Sequence, residues 1–337
     1  MPKIRVGIIG SGGVAQWGHI PAYKKLKGVE VLAICDPRVE VAEEVAKRNS
    51  IPYVFKDYKE LLKLKEIRAV SICTPNYLHK EAAVAALSAG KDVLCEKPMA
   101  TSAKEAEKMV KAAQEAGRIL MIGLNNRFRS EVQALKRLIK EGELGDIYYA
   151  KCGWLRRRGI PGLGSWFTEE AKSGGGPLID LGVHMIDLAW YLMGCPKAHS
   201  VTASAYQKFA PQISSVIYDT EDFSCGIIKF KGQATLFFET SWALNIKEEL
   251  LYSEVYGTKG GARLDPLEIY SEKNGILIDI CPKVKPLSGH QEEVRHFIEC
   301  IKRKKKPISP GEEGWEVMKL LDAIYESAEK GREVIVG

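Results

Sequence analysis

The chain has 337 residues, 45% hydrophobic and 27% charged, and its 49 basic against 43 acidic side chains leave a net charge of +6. That balance excludes the disordered, collagen-like and disulfide-scaffold classes. At roughly 100–200 residues per domain, the length points to two domains, each able to bury its own core.

From residue 4 to residue 123, short apolar runs alternate with amphipathic stretches. Strands are expected at 4–9, 30–35, 69–73, 92–95 and 119–122, and helices at 14–26, 39–48, 80–89 and 103–116. This alternation implies βαβ units and an α/β domain, a doubly wound parallel sheet covered on both faces. After Gly123 the texture changes. A helix at 131–140 precedes alternating stretches at 146–154, 200–207, 222–229, 234–242, 249–257 and 276–280. Hairpin-length turns between them suggest an α+β domain with a large, mostly antiparallel sheet and one open face. Helices at 292–302 and 312–330 close the chain. The expected division is 1–123 for dinucleotide binding and 124–337 for substrate, the last helix being free to pack back on the first domain.

The first strand runs into Gly10-Ser11-Gly12-Gly13-Val14-Ala15, a G-x-G-x-x-A variant of the dinucleotide fingerprint. Gly10 makes the tight turn, Gly12 lets backbone N–H groups approach a pyrophosphate, and the helix N-terminus faces the anion. Asp36, 26 residues after Gly10, stands where a carboxylate accepts from a ribose 2′-hydroxyl and repels a 2′-phosphate. NAD is therefore expected, with NADP left open by Arg38 nearby. The third strand ends in Thr74-Pro75-Asn76 and the fourth in Glu96-Lys97-Pro98. Carboxyl ends of parallel strands line the ligand crevice, so Thr74 and Asn76 either hydrogen-bond ribose or phosphate or simply shape a turn. His79 opens a helix and reads as a packing residue. Lys97 is held extended by the proline after it.

In the second half, Ser173-Gly174-Gly175-Gly176-Pro177 leads into an expected helix at 178–193. Asp180, His184, Asp187 and Tyr191 recur on one polar stripe, and Gly182 invites close approach. An aspartate one turn before a histidine can fix the ring's tautomer, as an acid–base pair requires. Two ligands at that spacing are too few for a metal, so none is expected, and no G-x-S-x-G elbow points to a hydrolase.

Eight singly scattered cysteines without a C-x-x-C suggest buried thiols in a reducing compartment. No run resembles a signal peptide or reaches the roughly 18 apolar residues of a membrane span, so a cytoplasmic location is expected. The Lys302–Lys306 run reads as a solvated helix end, with no nucleic-acid motif to support it and no membrane partner implied.

Together, the fingerprint, Cys73-Thr74-Pro75-Asn76 with His79, Glu96-Lys97-Pro98, and Gly174-Gly175-Gly176 with Asp180, Gly182, His184 and Asp187 resemble the glucose–fructose oxidoreductase / inositol dehydrogenase / rhizopine-catabolism (Gfo/Idh/MocA) family. Tyr256-Gly257-Thr258-Lys259-Gly260 and Gly311-Glu312-Glu313-Gly314 resemble it as well. The resemblance implies an N-terminal Rossmann domain and a C-terminal sheet that serves as a homodimer or homotetramer interface. It implies oxidation of a hydroxyl on a sugar, polyol or sugar derivative, with hydride passing to nicotinamide. Lys97, Asp180 and His184 form the implied catalytic group. His184 is the candidate base oriented by Asp180, and Lys97 either binds the alkoxide-like oxygen or takes the proton itself. Implied cofactor contacts are Gly10, Ser11, Gly12, Gly13, Val14, Asp36, Arg38, Thr74, Pro75, Asn76, His79, Glu96 and Lys97, together with Asn126, beside Arg127, and Trp166. Two alternatives are net non-redox or cofactor-recycling sugar chemistry on tightly bound NAD, and a nucleotide-sensing regulator. The presence of Lys97, Asp180 and His184 disfavours the regulator.

Overall fold

Six short apolar strands occupy the start of the computed structural model, which describes residues 3–213 and 215–336. They are β1 (Ile4–Ile9), β2 (Val29–Cys35), β3 (Tyr53–Phe55), β4 (Ile67–Ile72), β5 (Asp92–Glu96) and β6 (Leu120–Gly123). Between them run α1 (Ile20–Lys24), α2 (Val39–Asn49), α3 (Tyr58–Leu62), α4 (His79–Ser88) and α5 (Ala103–Ala116). Every pairing is parallel, in the order β3-β2-β1-β4-β5-β6. The order reverses between β1 and β4, and ligands of open α/β sheets bind at that reversal, beyond the carboxyl ends of the strands. Helix limits follow local chemistry. Ser102 caps α5 by accepting from Glu105 N–H, and Gly117 ends it at φ +59°.

The chain continues through α6 (Ser130–Lys140), β7 (Ile147–Leu155), α7 (Glu170–Ser173), α8 (Val183–Leu192) and β8 (Ala198–Tyr206). Then come β9 (Phe223–Phe230), β10 (Thr235–Ser241), β11 (Leu250–Gly257), β12 (Gly260–Leu264), β13 (Glu268–Lys273) and β14 (Ile276–Ile280). Last are α9 (Gly289–Arg303), α10 (Gly311–Lys330) and β15 (Val334–Ile335). Two compact units result: residues up to Phe128 with Leu287–Glu316, and Arg129–Pro286 with the residues from Val317 onward.

In the first unit, α9 completes the core. Its Val294, Phe297 and Ile298 are buried in one cluster with Val6, Ile8, Tyr23 and Ile34. In the second unit, nine strands run β14-β13-β12-β11-β7-β10-β9-β8-β15, antiparallel except for the β7–β10 pair. The alternating burial of β9, β10 and β11 marks one core face, packed by α8, and one open face. On the open face Tyr149 stacks on Tyr256 at 5.6 Å, and Tyr252 donates to Glu239 at 2.8 Å.

The expected parallel and mostly antiparallel sheets are both present; the differences are local. The helix expected at 14–26 is a π turn, Ala15–His19, followed by α1. Pro21 has no N–H to give the carbonyl of Trp17, which interrupts regular α bonding there. The helix expected at 178–193 likewise opens with a π turn, Leu178–Gly182. Strands β3, β12, β13 and β15 and helices α3 and α7 are additional, short elements whose few residues carry little periodicity.

Candidate active site

Within the first unit, the carboxyl edge of the sheet gathers the fingerprint and the ends of β2, β4, β5 and β6. Gly10 sits at φ +94°, and a Cβ there would lie 2.6 Å from Cys73 O, so the β1 turn passes against the end of β4 only because the side chain is missing. Gly12 is half-buried and Gly13 exposed, and a Cβ on Gly12 would meet nothing nearer than 4.0 Å, so the loop is open on its ligand side. Ser11 is buried, and its N–H and hydroxyl donate to Asp36 Oδ2 at 2.9 and 2.8 Å. The other oxygen, Oδ1, accepts from Arg38 N and Nε at 3.0 and 3.2 Å. Burial would raise Asp36, but the bonds from Arg38 and Ser11 outweigh it and hold the carboxyl below its ordinary range. Asp36 therefore stays anionic, its acceptor sites taken by Ser11 and Arg38, so that a ribose hydroxyl would displace one of these donors; Arg38 is bound to it through Nε.

Thr74 Oγ1 is buried with no hydrogen-bond partner among the described residues, and such an orphan beside the glycine turn fits a ligand oxygen. Asn76 is also buried. His79 is fully buried, its Nδ1 2.8 Å from Pro98 O and its Nε2 2.8 Å from Thr74 O. Burial favours the neutral ring, which donates to one of these two carbonyls and packs its other nitrogen against the second. Lys97 is half-buried at the end of β5, its N–H donating to Glu96 Oε2 at 3.2 Å. Asn126 is half-buried, whereas Arg127 is wholly buried and donates to Ile308 O and to Glu313. The glycine cradle, the anionic Asp36 and the orphan hydroxyl fit NAD.

Behind Glu96 lies a polar cluster that sequence reading missed. Tyr23 and Ser71 hydroxyls are 2.8 Å apart, Ser71 Oγ is 3.0 Å from His19 Nδ1, and His19 Nε2 is 2.7 Å from Glu96 Oε1. Burial would raise Glu96, but the His19 bond prevails and brings it down to about 2. Glu293 from α9 is fully buried, and neither of its oxygens has a hydrogen-bond partner among the described residues. Burial, then the Glu96 charge, push its carboxyl well above the ordinary range. Ligand atoms of His19, Glu96 and Glu293 lie within 4.8 Å of one another. The 2.7 Å His19–Glu96 contact is a hydrogen bond, tighter than two ligands on one tetrahedral zinc, which stand roughly 3.4 Å apart. The sequence held no signal for this group, because its members are scattered between positions 19 and 293.

In the second unit, the glycine run and the π turn set up Asp180 and His184. A Cβ on Gly175 would lie 1.9 Å from Tyr325 Oη, and one on Gly176 would lie 2.0 Å from Glu221 O. Glu221 accepts from Gly176 N at 2.8 Å, Leu178 N at 3.0 Å and Tyr325 Oη at 3.0 Å, so it caps the helix start. Burial raises its carboxyl to about 7 despite those bonds. Asp180 Oδ2 accepts from the buried Trp242 Nε1 at 3.0 Å. His184 is half-buried, its ring centroid 6.3 Å from that of Trp154. Asp180, His184 and Tyr191 stay partly accessible, whereas Asp187 on the same stripe is buried. Trp166 is half-buried and stacks on Phe167 at 3.9 Å. In the loop after β7, Arg156 lies 5.1 Å over Trp154, and Arg158 lies 4.6 Å over Phe209 and donates to Asn245, which anchors residues 156–158.

The model of an oxidoreductase family with an NAD-binding Rossmann fold matches residues 4–124, and that of its C-terminal α/β domain matches residues 136–336. The chain belongs to the Gfo/Idh/MocA oxidoreductase family. A D-glucoside 3-dehydrogenase of Escherichia coli (strain K12) is 36% identical over 98% of this chain and 97% of its own length. The NAD-dependent scyllo-inositol 2-dehydrogenase of Bacillus subtilis (strain 168) is 28% identical over 91% and 88%. A levoglucosan dehydrogenase solved with NADH and levoglucosan superposes with a TM-score of 0.89 at 25% identity, covering 99% of both chains. Membership in the Gfo/Idh/MocA family agrees with the resemblance read from sequence and makes this chain an NAD-dependent oxidoreductase. No described helix is long and apolar enough to cross a membrane.

Proposed function

We propose that the chain oxidises the ring hydroxyl at carbon 3 of a glucoside or closely related sugar, the position named for its D-glucoside 3-dehydrogenase relative. The observation that carries this reading is the accessible His184 one turn from an Asp180 held by Trp242, on a chain 36% identical to a D-glucoside 3-dehydrogenase over nearly its whole length. Bound at the first unit's carboxyl edge, NAD supplies the hydride acceptor. Gly10–Val14 hold its pyrophosphate, Asp36 accepts from a ribose hydroxyl, and Thr74 Oγ1 and Asn76 contribute further hydrogen bonds.

The imidazole of His184 takes the hydroxyl proton, and Asp180 stabilises the resulting positive ring. The Lys97 ammonium stabilises negative charge on the substrate oxygen as the carbon loses hydride. The alcohol thus loses one proton and one hydride and becomes a ketone. The aromatic open face, with Tyr149, Tyr252 and Tyr256, supports a homodimer or homotetramer built on the second sheet. Five buried free cysteines support a reducing, cytoplasmic location.

The test is a panel of methyl glucosides, free aldoses, inositols and anhydrosugars followed by NADH formation. Glucosides should give the highest kcat/KM; turnover confined to inositols would overturn the substrate class. Gel filtration checks the assembly, with a monomer as the contrary result.

A further inference from the structure

The first unit has a second edge with its own chemistry. At the amino ends of β4, β5 and β6, opposite the edge bearing Gly10, Asp36 and Lys97, lies a cavity of about 650 Å³. Arg68, Arg118 and Lys304–Lys306 contribute five cations to its lining, against the carboxylates of Asp92 and Glu312. Asp92 is already engaged: Oδ2 is 2.9 Å from Arg68 Nη2, and Oδ1 accepts from Ile119 N at 3.0 Å. Arg118, Lys304, Lys305 and Lys306 form no ion pair among the described residues. Lys91 adds a buried cation nearby, its ammonium held by Leu64 O and Ile67 O at 2.8 Å each. Burial first, and then the Arg118 charge, pull its pKa below the ordinary value.

The surplus is held by fixed backbone. Lys304 ends α9 in the left-handed region at φ +53°, and Lys305 N donates to Cys300 O at 3.1 Å. Pro310 and Gly311 bring the first turn of the 20-residue α10 to the same cavity. A Cβ on Gly311 would lie 2.8 Å from Leu120, so this helix start is pressed against the start of β6. Unpaired cations and a helix N-terminus at one concave, partly apolar surface attract anions more strongly than scattered surface lysines do. The volume lies within the roughly 300–1,000 Å³ typical of small-molecule sites. One carboxylate or a neutral sugar would leave most of this charge uncompensated, and a single compact concavity is shorter than the track of a nucleic-acid backbone.

We propose that this cavity binds a small polyphosphate-bearing molecule of nucleoside diphosphate size, at a site separate from the cofactor crevice. The phosphates lie against Arg118, the lysine run and the start of α10, and the base lies against Val110 and Ile301.

The test titrates ADP and, separately, inorganic pyrophosphate into the full-length protein saturated with NADH, by calorimetry. Saturation keeps the Gly10–Val14 loop filled. One site per chain is expected, weakened by added salt. Arg118→Gln should weaken it about tenfold, as loss of one charge-assisted bond does. The exposed Lys304→Gln/Lys306→Gln pair should weaken it similarly, with NADH-forming turnover in the absence of ADP unchanged. ADP binding tighter than pyrophosphate assigns a nucleotide; equal affinities assign the polyphosphate alone. No binding beside NADH, unchanged affinity in both variants, or an oligonucleotide that binds more tightly than ADP would overturn the proposal. None of these outcomes depends on which sugar is oxidised.

Discussion

Glu293→Gln tests the buried cluster behind Glu96 through the pH dependence of stability. Glu293 is fully buried, its oxygens have no hydrogen-bond partner among the described residues, and its carboxyl stays protonated well above the ordinary range. In the unfolded chain it ionises near the usual glutamate value of about 4.3. Above that pH the unfolded state has released a proton that the folded state keeps, so folding stability falls as pH rises. The slope is about 1.4 kcal/mol per pH unit from about pH 5 upward, until the folded pKa is passed. Glu96, brought down to about 2, is ionised throughout this interval in both states and contributes a constant. Glutamine has the same shape and no proton to lose, and its amide can donate toward the Glu96 carboxylate. Urea unfolding at several pH values should therefore show the variant gaining on the wild type by that slope. Parallel profiles would mean that Glu293 is ionised in the folded protein and that a cation or solvent offsets its charge.

Gly175→Ala puts a methyl group 1.9 Å from Tyr325 Oη at a backbone φ of +144° and should cost more than about 2 kcal/mol of stability, read by the same unfolding assay and relieved in part by Tyr325→Ala. Glu221→Gln keeps an acceptor for the helix start but cannot titrate. Wild-type turnover should fall below about pH 7, as protonation removes one of the three bonds at the cap, and the variant's kcat profile should be flatter there. Asp36→Ala should raise KM for NAD about tenfold with little change for NADP, because it removes both the ribose acceptor and the tether on Arg38.

The first sheet was legible because its strands are apolar runs separated by helices with period 3.6, and parallel pairing buries them on both faces. The glycine turn and Asp36 were legible because backbone approach and ribose binding demand those residue types at that spacing. Asp180 and His184 stood out as polar positions in an apolar helix, yet the π turn around Gly182 left no trace in the residue pattern. Glu221, Tyr325 and Trp242 were hidden for another reason. Each looks like an ordinary strand, helix or loop residue until folding sets it against the glycine run or Asp180. His79, read from sequence as a packing residue, is buried between two main-chain carbonyls.

The most direct trial uses a methyl glucoside deuterated at carbon 3, mixed with NAD and the protein in a single turnover. The account predicts deuterium on the nicotinamide product and a ketone on the sugar, with His184→Ala slowing the transfer by about 10²–10⁴. Label remaining on the sugar, or a variant slowed less than about tenfold, would contradict it.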